Sequence, residues 1–245
     1  MEDQLDYNYH YSKWHDGSAS DRQAMEDYYR SFWPELDPTT KRGPVLDIGC
    51  GTGLLLSFLV KQGYAEATGV DTSPTQVAVA QANGLNAIHV RDTRQWLERC
   101  DLQPQVMTMF DVLEHVPTQE QIPLLRAVQN AMAPGASLVL TVPNASSSFG
   151  LRWRYIDWTH CCSFSEHSLD FVMHNAGFEH IEIRPIEFMR RPRLPWLPRK
   201  RVIHWWLFLA FRLFRRLEAV AELGFEQGRA VPLSLNLVAV AKKPP

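Results

Sequence analysis

Three glycines that follow a short apolar run carry the clearest chemical signal in this sequence. The segment 45–53, VLDIGCGTG, predicts a buried strand, a glycine-rich turn and the start of a helix. Glycine lets the backbone turn tightly and lets a ligand approach the main chain, whose amides at the helix start then face that ligand. The spacing is GxGxG, and Leu54 stands where a GxGxxG pattern would continue, which argues against a nicotinamide or flavin cofactor.

Two acidic residues further along suit the sugar and the base of a nucleoside. Asp71 ends the second predicted strand, 22 residues after Gly49, where a carboxylate can accept hydrogen bonds from both ribose hydroxyls. Asp92 follows the third predicted strand at the carboxyl edge of the sheet, in a position to meet an adenine. The turn and the two carboxylates therefore predict a site for an adenosine-containing ligand.

These segments resemble class I S-adenosylmethionine-dependent methyltransferases, above all the branch of ubiquinone-type O-methyltransferases and many glycan methyltransferases. The resemblance rests on VLDIGCGTG, GVD at 69–71, Asp92, FDVLEHV at 110–116 and PGASLVLTVPN at 134–144. It implies S-adenosylmethionine as the cofactor, and it is hardly specific for the acceptor. The implied contacts are Asp47, Gly49, Gly51 and Gly53 at the methionine end, Asp71 at the ribose, Asp92 with Thr93 at the adenine, and also Cys50, Thr72 and Asp111.

The residues after the fourth predicted strand bear on the atom that is methylated. Methyltransferases of planar amino groups often carry Asn/Asp-Pro-Pro-aromatic there, whereas this chain has DVLEH at 111–115. An oxygen acceptor is therefore favoured over a nucleobase amine. Transfer to a hydroxyl needs in-line alignment of the acceptor and removal of its proton.

Histidines are the candidates for that proton transfer, because imidazole titrates near neutral pH. His115 lies beside the expected methyl position, although packing of its loop is an equal alternative. His160 follows the fifth strand, and Asp157 could orient it as carboxylates orient catalytic imidazoles. His10 and His15 belong to a leader that could close as a lid. The predicted catalytic residues are His115, His160 and Asp157.

No metal site is predicted. Asp111, Glu114 and His115 could supply hard ligands, and the resemblance to quinone methyltransferases makes a divalent ion an alternative. The run from His160 to Cys162 lacks zinc-finger spacing. The four cysteines show no CxxC pair and are expected to be reduced.

Apolar runs that alternate with helical stretches from residue 44 onward predict the architecture that positions these residues. We expect a Rossmann-like, seven-stranded, mostly parallel sheet with helices on both faces. The predicted strands are 45–48, 67–70, 87–90, 106–110, 137–142, 181–186 and 233–241. We divide this single methyltransferase domain into a leader (1–42), a cofactor-binding core (43–188), an insertion (189–230) and a final strand (231–243).

The insertion is basic and aromatic. Residues 190–216 hold nine Lys or Arg and no acidic residue, which leaves the rest of the chain with a net charge of −11. From Val202 the spacing predicts a helix with Arg201, His204, Arg212 and Arg215 on one stripe and large apolar residues elsewhere. Such a helix favours peripheral contact with an anionic membrane. Packing on the sheet or in a homodimer is the alternative.

Composition sets the remaining expectations. The 245 residues, 45% hydrophobic and 21% charged, suit one globular domain, and a net charge of −2 gives no indication of nucleic acid. The acidic N-terminus predicts a cytoplasmic protein, at the inner membrane face if the insertion binds lipid. We expect an O-methyltransferase acting on a sugar hydroxyl of a lipid-linked or cell-surface glycan. The alternatives are phenolic O-methylation of a prenylated quinone precursor and a non-catalytic cofactor-binding scaffold.

Overall fold

A computed structural model describes residues 9, 18–36, 43–64, 66–187, 189, 191–192 and 199–245. Seven strands form one sheet in the order β3-β2-β1-β4-β5-β7-β6, and only β7 is antiparallel to its neighbours. The predicted α/β Rossmann-like class is confirmed. The strands are β1 (Val45–Ile48), β2 (Ala67–Asp71), β3 (Ala87–His89), β4 (Val106–Phe110), β5 (Ser137–Pro143), β6 (Glu179–Pro185) and β7 (Asn236–Lys242).

Helices cover both faces of the sheet. Strands β1 and β5 are buried along their whole length, as expected for parallel strands with helices above and below. Three short helices, α4, α6 and α9, were not predicted from the sequence. The helices are α1 (Ala19–Leu36), α2 (Leu54–Lys61), α3 (Pro74–Ala82), α4 (Thr93–Leu97), α5 (Thr118–Ala131), α6 (Gly150–Ile156), α7 (Glu166–Asn175), α8 (Lys200–Leu223) and α9 (Phe225–Ala230).

Helix α1, which lies within the predicted leader, is packed into the core by aromatic rings. The rings of Tyr29 and Phe32 lie 5.9 and 5.8 Å from that of Phe110 at the end of β4. Trp33 meets Phe58 of α2 edge to face at 6.3 Å. This part of the leader therefore packs against the carboxyl edge of the sheet at the end of β4. His10 and His15, on which the lid hypothesis rests, lie outside the described residues.

The insertion leaves and rejoins the sheet at the same carboxyl edge. The Ile186 amide, just after β6, donates to the carbonyl of Asn236 at the start of β7. The Asn144 side chain, just after β5, donates to the carbonyls of Pro232 and Ser234 at 2.9 and 2.7 Å. Helices α8 and α9 therefore form a hairpin rooted beside the ends of β5 and β6. Among the described helices, none is long and apolar enough to cross a membrane.

Two tryptophans test how much the aromatic packing of α1 contributes to stability. Trp33 is 2% exposed and Trp158 is 90% exposed. Trp33→Ala should lower the free energy of unfolding by about 3–5 kcal/mol, because it removes a fully buried ring. Trp158→Ala, the matched control, should change it by less than about 0.5 kcal/mol. Urea denaturation measures both, and equal losses would show that α1 does not hold the core.

Candidate functional site

The three glycines of the turn adopt the left-handed backbone conformation, and side chains of neighbouring elements pack closely against two of them. Gly49, Gly51 and Gly53 have φ values of 71°, 53° and 84°. A Cβ atom at Gly49 would lie 2.3 Å from a methyl carbon of Val112, and one at Gly53 would lie 2.4 Å from a methyl carbon of Leu85. Side chains therefore cannot enter the turn without moving its neighbours, and its backbone stays open to a ligand.

The carboxylate of Asp71 holds this turn against the end of β2. One of its oxygens accepts from the amide of Gly51 at 2.8 Å, and the other accepts from the amide of Ser73 at 2.7 Å. An ionised carboxylate has about four acceptor sites, so both oxygens keep capacity for a diol. Thr72, also a predicted contact, lies exposed between these partners. Asp71 can bind a ribose while it shapes the turn.

Asp47 places a buried acid beneath the turn. Its side chain is 2% exposed and accepts a hydrogen bond of 2.7 Å from the Thr108 hydroxyl. Burial raises the pKa of Asp47 to about 7, against the opposing effect of Thr108, and the negative charge of Asp71 adds to the rise. A cationic group of a ligand placed beside Asp47 would stabilise the ionised carboxylate and lower its pKa again.

The remaining predicted cofactor residues differ in which atoms they can offer. Asp92 is exposed and caps α4, accepting from the amide of Gln95 at 2.9 Å, and Thr93 begins that helix. The Cys50 side chain is buried against Gly69 of β2, and burial raises the pKa of its thiol. Only the backbone of Cys50 can therefore face a ligand.

Asp111 lies at the carboxyl end of β4 in a strained conformation. Its φ is 53°, a value that non-glycine residues seldom adopt and that often marks a functional position. Its carboxylate accepts from the Thr141 hydroxyl at 3.1 Å and from the Asn236 amide at 3.4 Å. Tyr28 of α1 is close by: burial, together with the negative charge of Asp111, raises the pKa of its phenol.

The chemistry of these groups fits S-adenosylmethionine. Its methionine end carries a cationic amino group that Asp47 can balance, and its ribose offers two donors to Asp71. The left-handed turn leaves the main chain open between these two carboxylates. Asp92 at the end of β3 lies further along the same edge, beyond Asp71 in the strand order.

A chain of hydrogen bonds links His115 to Asp157, two of the predicted catalytic residues. It runs through Thr159, which was not predicted. The Nδ1 atom of His115 lies 2.7 Å from the Thr159 hydroxyl, which lies 2.6 Å from a carboxylate oxygen of Asp157. An ionised carboxylate only accepts, so the Thr159 hydroxyl donates to Asp157 and accepts from Nδ1–H of His115. Neutral His115 then has Nε2 as its basic nitrogen.

Asp157 does not orient His160 by a direct hydrogen bond. The nearest oxygen of Asp157 lies 4.0 Å from Nε2 of His160, while Nδ1 of His160 lies 2.8 Å from the Trp153 carbonyl and donates to it. Burial acts to raise the pKa of Asp157, but hydrogen bonds from Thr159, with His115 and His160 nearby, outweigh it and lower the pKa. Asp157 is thereby kept ionised for its partner Thr159.

His115, His160 and Glu114 come together in a way that could hold a metal ion. The rings of the two histidines meet edge to face at 4.5 Å, and one ligand atom from each of the three residues lies within 4.8 Å of the others. Glu114 is fully buried, and its carboxyl oxygens have no hydrogen-bond partner among the residues that the structure describes. Burial, with the charge of Asp111, raises the pKa of Glu114 well above its usual range and favours its neutral form. The absence of a metal stays a prediction.

Sequence reasoning did not identify Thr159 or Tyr28. A signal for Thr159 was present in Asp157-Trp158-Thr159, because an Asp followed two residues later by a donor commonly forms a local turn. The Thr159 amide donates to Asp157 at 2.8 Å in this way. For Tyr28, no local signal exists, since its contact with Asp111 depends on how α1 packs.

Comparisons with known proteins identify the family to which this chain is similar. The profile of the family described as "Methyltransferase domain" matches residues 19–183. The ubiquinone biosynthesis O-methyltransferase of Idiomarina loihiensis is 30% identical over 156 residues, 60% of this chain and 58% of that protein. Its counterpart in Pseudomonas aeruginosa PAO1 is 34% identical over 105 residues, 41% of this chain and 44% of that protein. The chain thus spans about half the length of these curated relatives.

Solved structures share the fold over nearly the whole chain. A SAM-dependent methyltransferase from Archaeoglobus fulgidus superposes with a TM-score of 0.69 at 24% identity, covering 97% of this chain and 100% of that one. The plantazolicin methyltransferase BamL, solved with SAH, gives a TM-score of 0.62 at 15% identity and covers 99% and 92%. At these identities the likeness establishes the fold.

Two glycines with the same backbone angle test the turn as a ligand site. Gly49 and Gly135 both have φ 71°, but a Cβ at Gly135 would meet nothing within 4 Å. Both Ala variants should lose about 1–2 kcal/mol of stability to backbone strain. Only Gly49→Ala must also displace Val112, which distorts the turn. This variant alone should therefore weaken S-adenosylmethionine binding, and calorimetry should show a loss of affinity of at least about tenfold. Equal affinities for the two variants would remove the turn from the binding site.

The raised pKa of Asp47 predicts a pH-dependent affinity. Below about pH 7 the free protein holds Asp47 protonated, and a cationic ligand end that needs the carboxylate must displace that proton. Affinity should therefore rise with pH, by up to about tenfold per unit, and level off above pH 7 to 8. Calorimetry in buffers of different ionisation enthalpy should detect proton release near pH 6. Asp47→Asn should flatten the profile; a flat wild-type profile would contradict the role of Asp47.

Proposed function

Because the chain belongs to the methyltransferase-domain family and has the class I fold of S-adenosylmethionine-dependent enzymes, we propose that it methylates a hydroxyl group of its acceptor. The observation that carries the proposal is the hydrogen-bond chain from Asp157 through Thr159 to His115. It lies after β4 and β5, at the edge that holds the glycine-rich turn. A base is needed for a hydroxyl acceptor, which does not give up its proton readily.

Bound S-adenosylmethionine would supply an activated methyl group that an acceptor oxygen could take, with the carbon–sulfur bond breaking to give a neutral thioether. In the proposed reaction Nε2 of His115 accepts the proton of the acceptor hydroxyl. Asp157 stabilises the imidazolium through Thr159, in the role that the carboxylate has in a Ser-His-Asp triad. His115 is the proposed catalytic base, and Thr159 and Asp157 are positioning residues.

For the acceptor we propose a sugar hydroxyl of a lipid-linked or cell-surface glycan. Support comes from the exposed apolar side chains on and beside α6, on both sides of Asp157 in the sequence. Phe149, Leu151, Tyr155 and Trp158 expose between 59% and 90% of their surface. Rings so exposed suit an extended acceptor that has flat C–H faces or an isoprenoid carrier, since apolar patches of this kind commonly mark binding sites.

Phenolic O-methylation of a prenylated quinone precursor is the second candidate. The relatives named ubiquinone biosynthesis O-methyltransferase favour it, at 30–34% identity over about half of their length. A phenol gives up its proton more readily than a sugar hydroxyl, so this candidate depends less on His115. Transfer of labelled methyl groups to glycan-containing extracts, compared with prenylated phenols, separates the two acceptors.

Variants of the hydrogen-bond chain test the base. His115→Ala should lower turnover by about 10²–10⁴-fold with nearly unchanged cofactor affinity. Asp157→Asn should have a similar effect, because an amide can donate to Thr159, which would then donate to Nδ1 and leave the proton on Nε2. Thr159→Val should lower turnover and Thr159→Ser should restore it. His167→Ala, an exposed histidine on α7, is the matched control.

Metal removal distinguishes the base from an ion at the same place. An imidazole base needs no metal, so turnover should survive EDTA, and kcat/KM should rise with pH until the imidazole is neutral. Activity that is lost with EDTA and restored by Mg²⁺ would instead assign Glu114, His115 and His160 to a metal ion. Full turnover of His115→Ala in a rate-limiting chemical step would rule out His115 as the base.

A further inference from the structure

Helix α8 presents a strip of large apolar side chains to solvent. The strip consists of residues that lie within about 160° of the helix circumference at 100° per residue. Each is between 52% and 65% exposed, and only Val202 of the whole helix is buried. The members of this apolar strip are Ile203, Trp206, Leu207, Phe211, Leu213, Phe214 and Leu217. A surface of this kind needs a partner, because soluble proteins seldom expose contiguous apolar patches of this size.

The arginines in the middle of α8 are engaged within the protein, which corrects the stripe expected from the sequence. Arg212 pairs with Glu187 at 3.2 Å, and Arg215 lies 3.4 Å from Glu218. Arg216 donates to the carbonyls of Gly228 and Val231 at 2.7 and 2.8 Å. Arg212 and Arg216 thereby fix α8 to the segment after β6 and to α9, whereas the pair of Arg215 lies within α8. They leave the apolar strip, and not the arginine stripe, as the outward surface.

Positive charge that remains on the outside is concentrated at the amino end of α8. Arg199, Lys200 and Arg201 are consecutive and exposed. Arg191, just before them, is also exposed and stacks over the Trp205 ring at 5.9 Å. The acidic residues of the hairpin, Glu218, Glu222 and Glu226, lie at its other end. The basic end of the helix is therefore the part that can be attracted to negative charge.

The hairpin that carries the strip is rooted at the sheet edge that holds the candidate site. The α8–α9 hairpin and α6 are both rooted at the carboxyl edge, where residues 232–236 contact Asn144 on one side and Ile186 on the other. Helix α6 and its flanks add the exposed rings of Tyr155 and Trp158, with Arg152 exposed beside them. Both sets of exposed apolar residues therefore belong to elements that begin or end at this edge.

We propose that the apolar strip of α8 docks the protein on an anionic phospholipid bilayer. Tryptophan, phenylalanine and leucine on one face of a helix, with basic residues at its end, are the features of helices that lie in the membrane interface. Docking presents the carboxyl edge, with His115 and Asp157, to molecules carried in the bilayer. The docking itself does not depend on the proposed acceptor.

Vesicle binding by the full chain tests the proposal without any measurement of methyl transfer. The chain should cosediment with vesicles of phosphatidylglycerol and phosphatidylcholine, bind pure phosphatidylcholine far more weakly, and be partly released by high salt. Lys200→Ala with Arg201→Ala should weaken binding about 25-fold, at roughly fivefold for each charge. The control pair, Arg99→Ala with Lys242→Ala, removes two exposed charges at the opposite edge of the sheet and should change nothing.

A second pair of variants tests insertion of the apolar strip. Phe214 on α8 and Phe171 on α7 are 62% and 63% exposed, so neither supports the fold. Phe214→Ser should weaken vesicle binding by at least tenfold, because it removes a ring that would enter the acyl boundary. Phe171→Ser should leave it unchanged. Bilayer contact should also shift the tryptophan emission of the wild type to the blue, less so in Trp206→Ser.

Two results would overturn the proposal. One is a wild type that ignores anionic vesicles at low salt while it still binds S-adenosylmethionine. The other is a dimer in sedimentation equilibrium that Phe214→Ser dissociates, without vesicle binding by either form. That outcome would assign the strip to a second copy of the chain.

Discussion

The two hydrogen bonds of the Asp71 carboxylate are the contacts on which the rest of the candidate site depends. They join the amides of Gly51 and Ser73, and thereby fix the glycine-rich turn, the end of β2 and the start of α3 in one arrangement. A turn made of left-handed glycines loses much conformational entropy on folding, so a carboxylate that holds it in place offsets part of that cost. The same carboxylate is the one that suits a ribose. Shaping the turn and binding the ligand are thus properties of a single side chain.

The surroundings of two acidic residues in this site shift their pKa values in opposite directions. Asp157 has hydrogen-bond donors from Thr159 and two histidines nearby, so its pKa is lowered and it stays charged. Glu114 is fully buried near the negative Asp111, and both burial and that charge raise its pKa. Environments that separate the pKa values of neighbouring groups mark positions where acid and base roles can be divided. The lowered pKa keeps Asp157 charged behind Thr159 and His115, and the raised pKa favours the neutral form of Glu114 beside them.

The sheet and the glycine-rich turn could be predicted because their signals are local. A glycine-rich turn after a buried strand, or an Asp at a strand end, lies within a few residues of sequence, and Asp47, Gly49 and Asp71 lie where the pattern indicated. The link between His115 and Thr159 spans 44 residues and depends on how two loops meet at the sheet edge. Likewise, helical spacing indicated a basic stripe on α8 but could not show that Arg212, a member of that stripe, turns toward Glu187 of the protein. Spacing specifies a face of a helix; tertiary packing decides which face is covered.

The root of the insertion joins the outer surface of the protein to its candidate site. Asn236 donates to the carboxylate of Asp111, and its carbonyl accepts from Ile186, where the chain departs toward α8. Asn144, which is fully buried, holds the returning segment through Pro232 and Ser234. Asp111 already occupies a strained backbone conformation, so small displacements of its partners act on a residue with few alternative positions. A surface that contacts α8 therefore acts on a hairpin whose returning end contacts Asp111 through Asn236, and the same short segment both positions that carboxylate and anchors the helix.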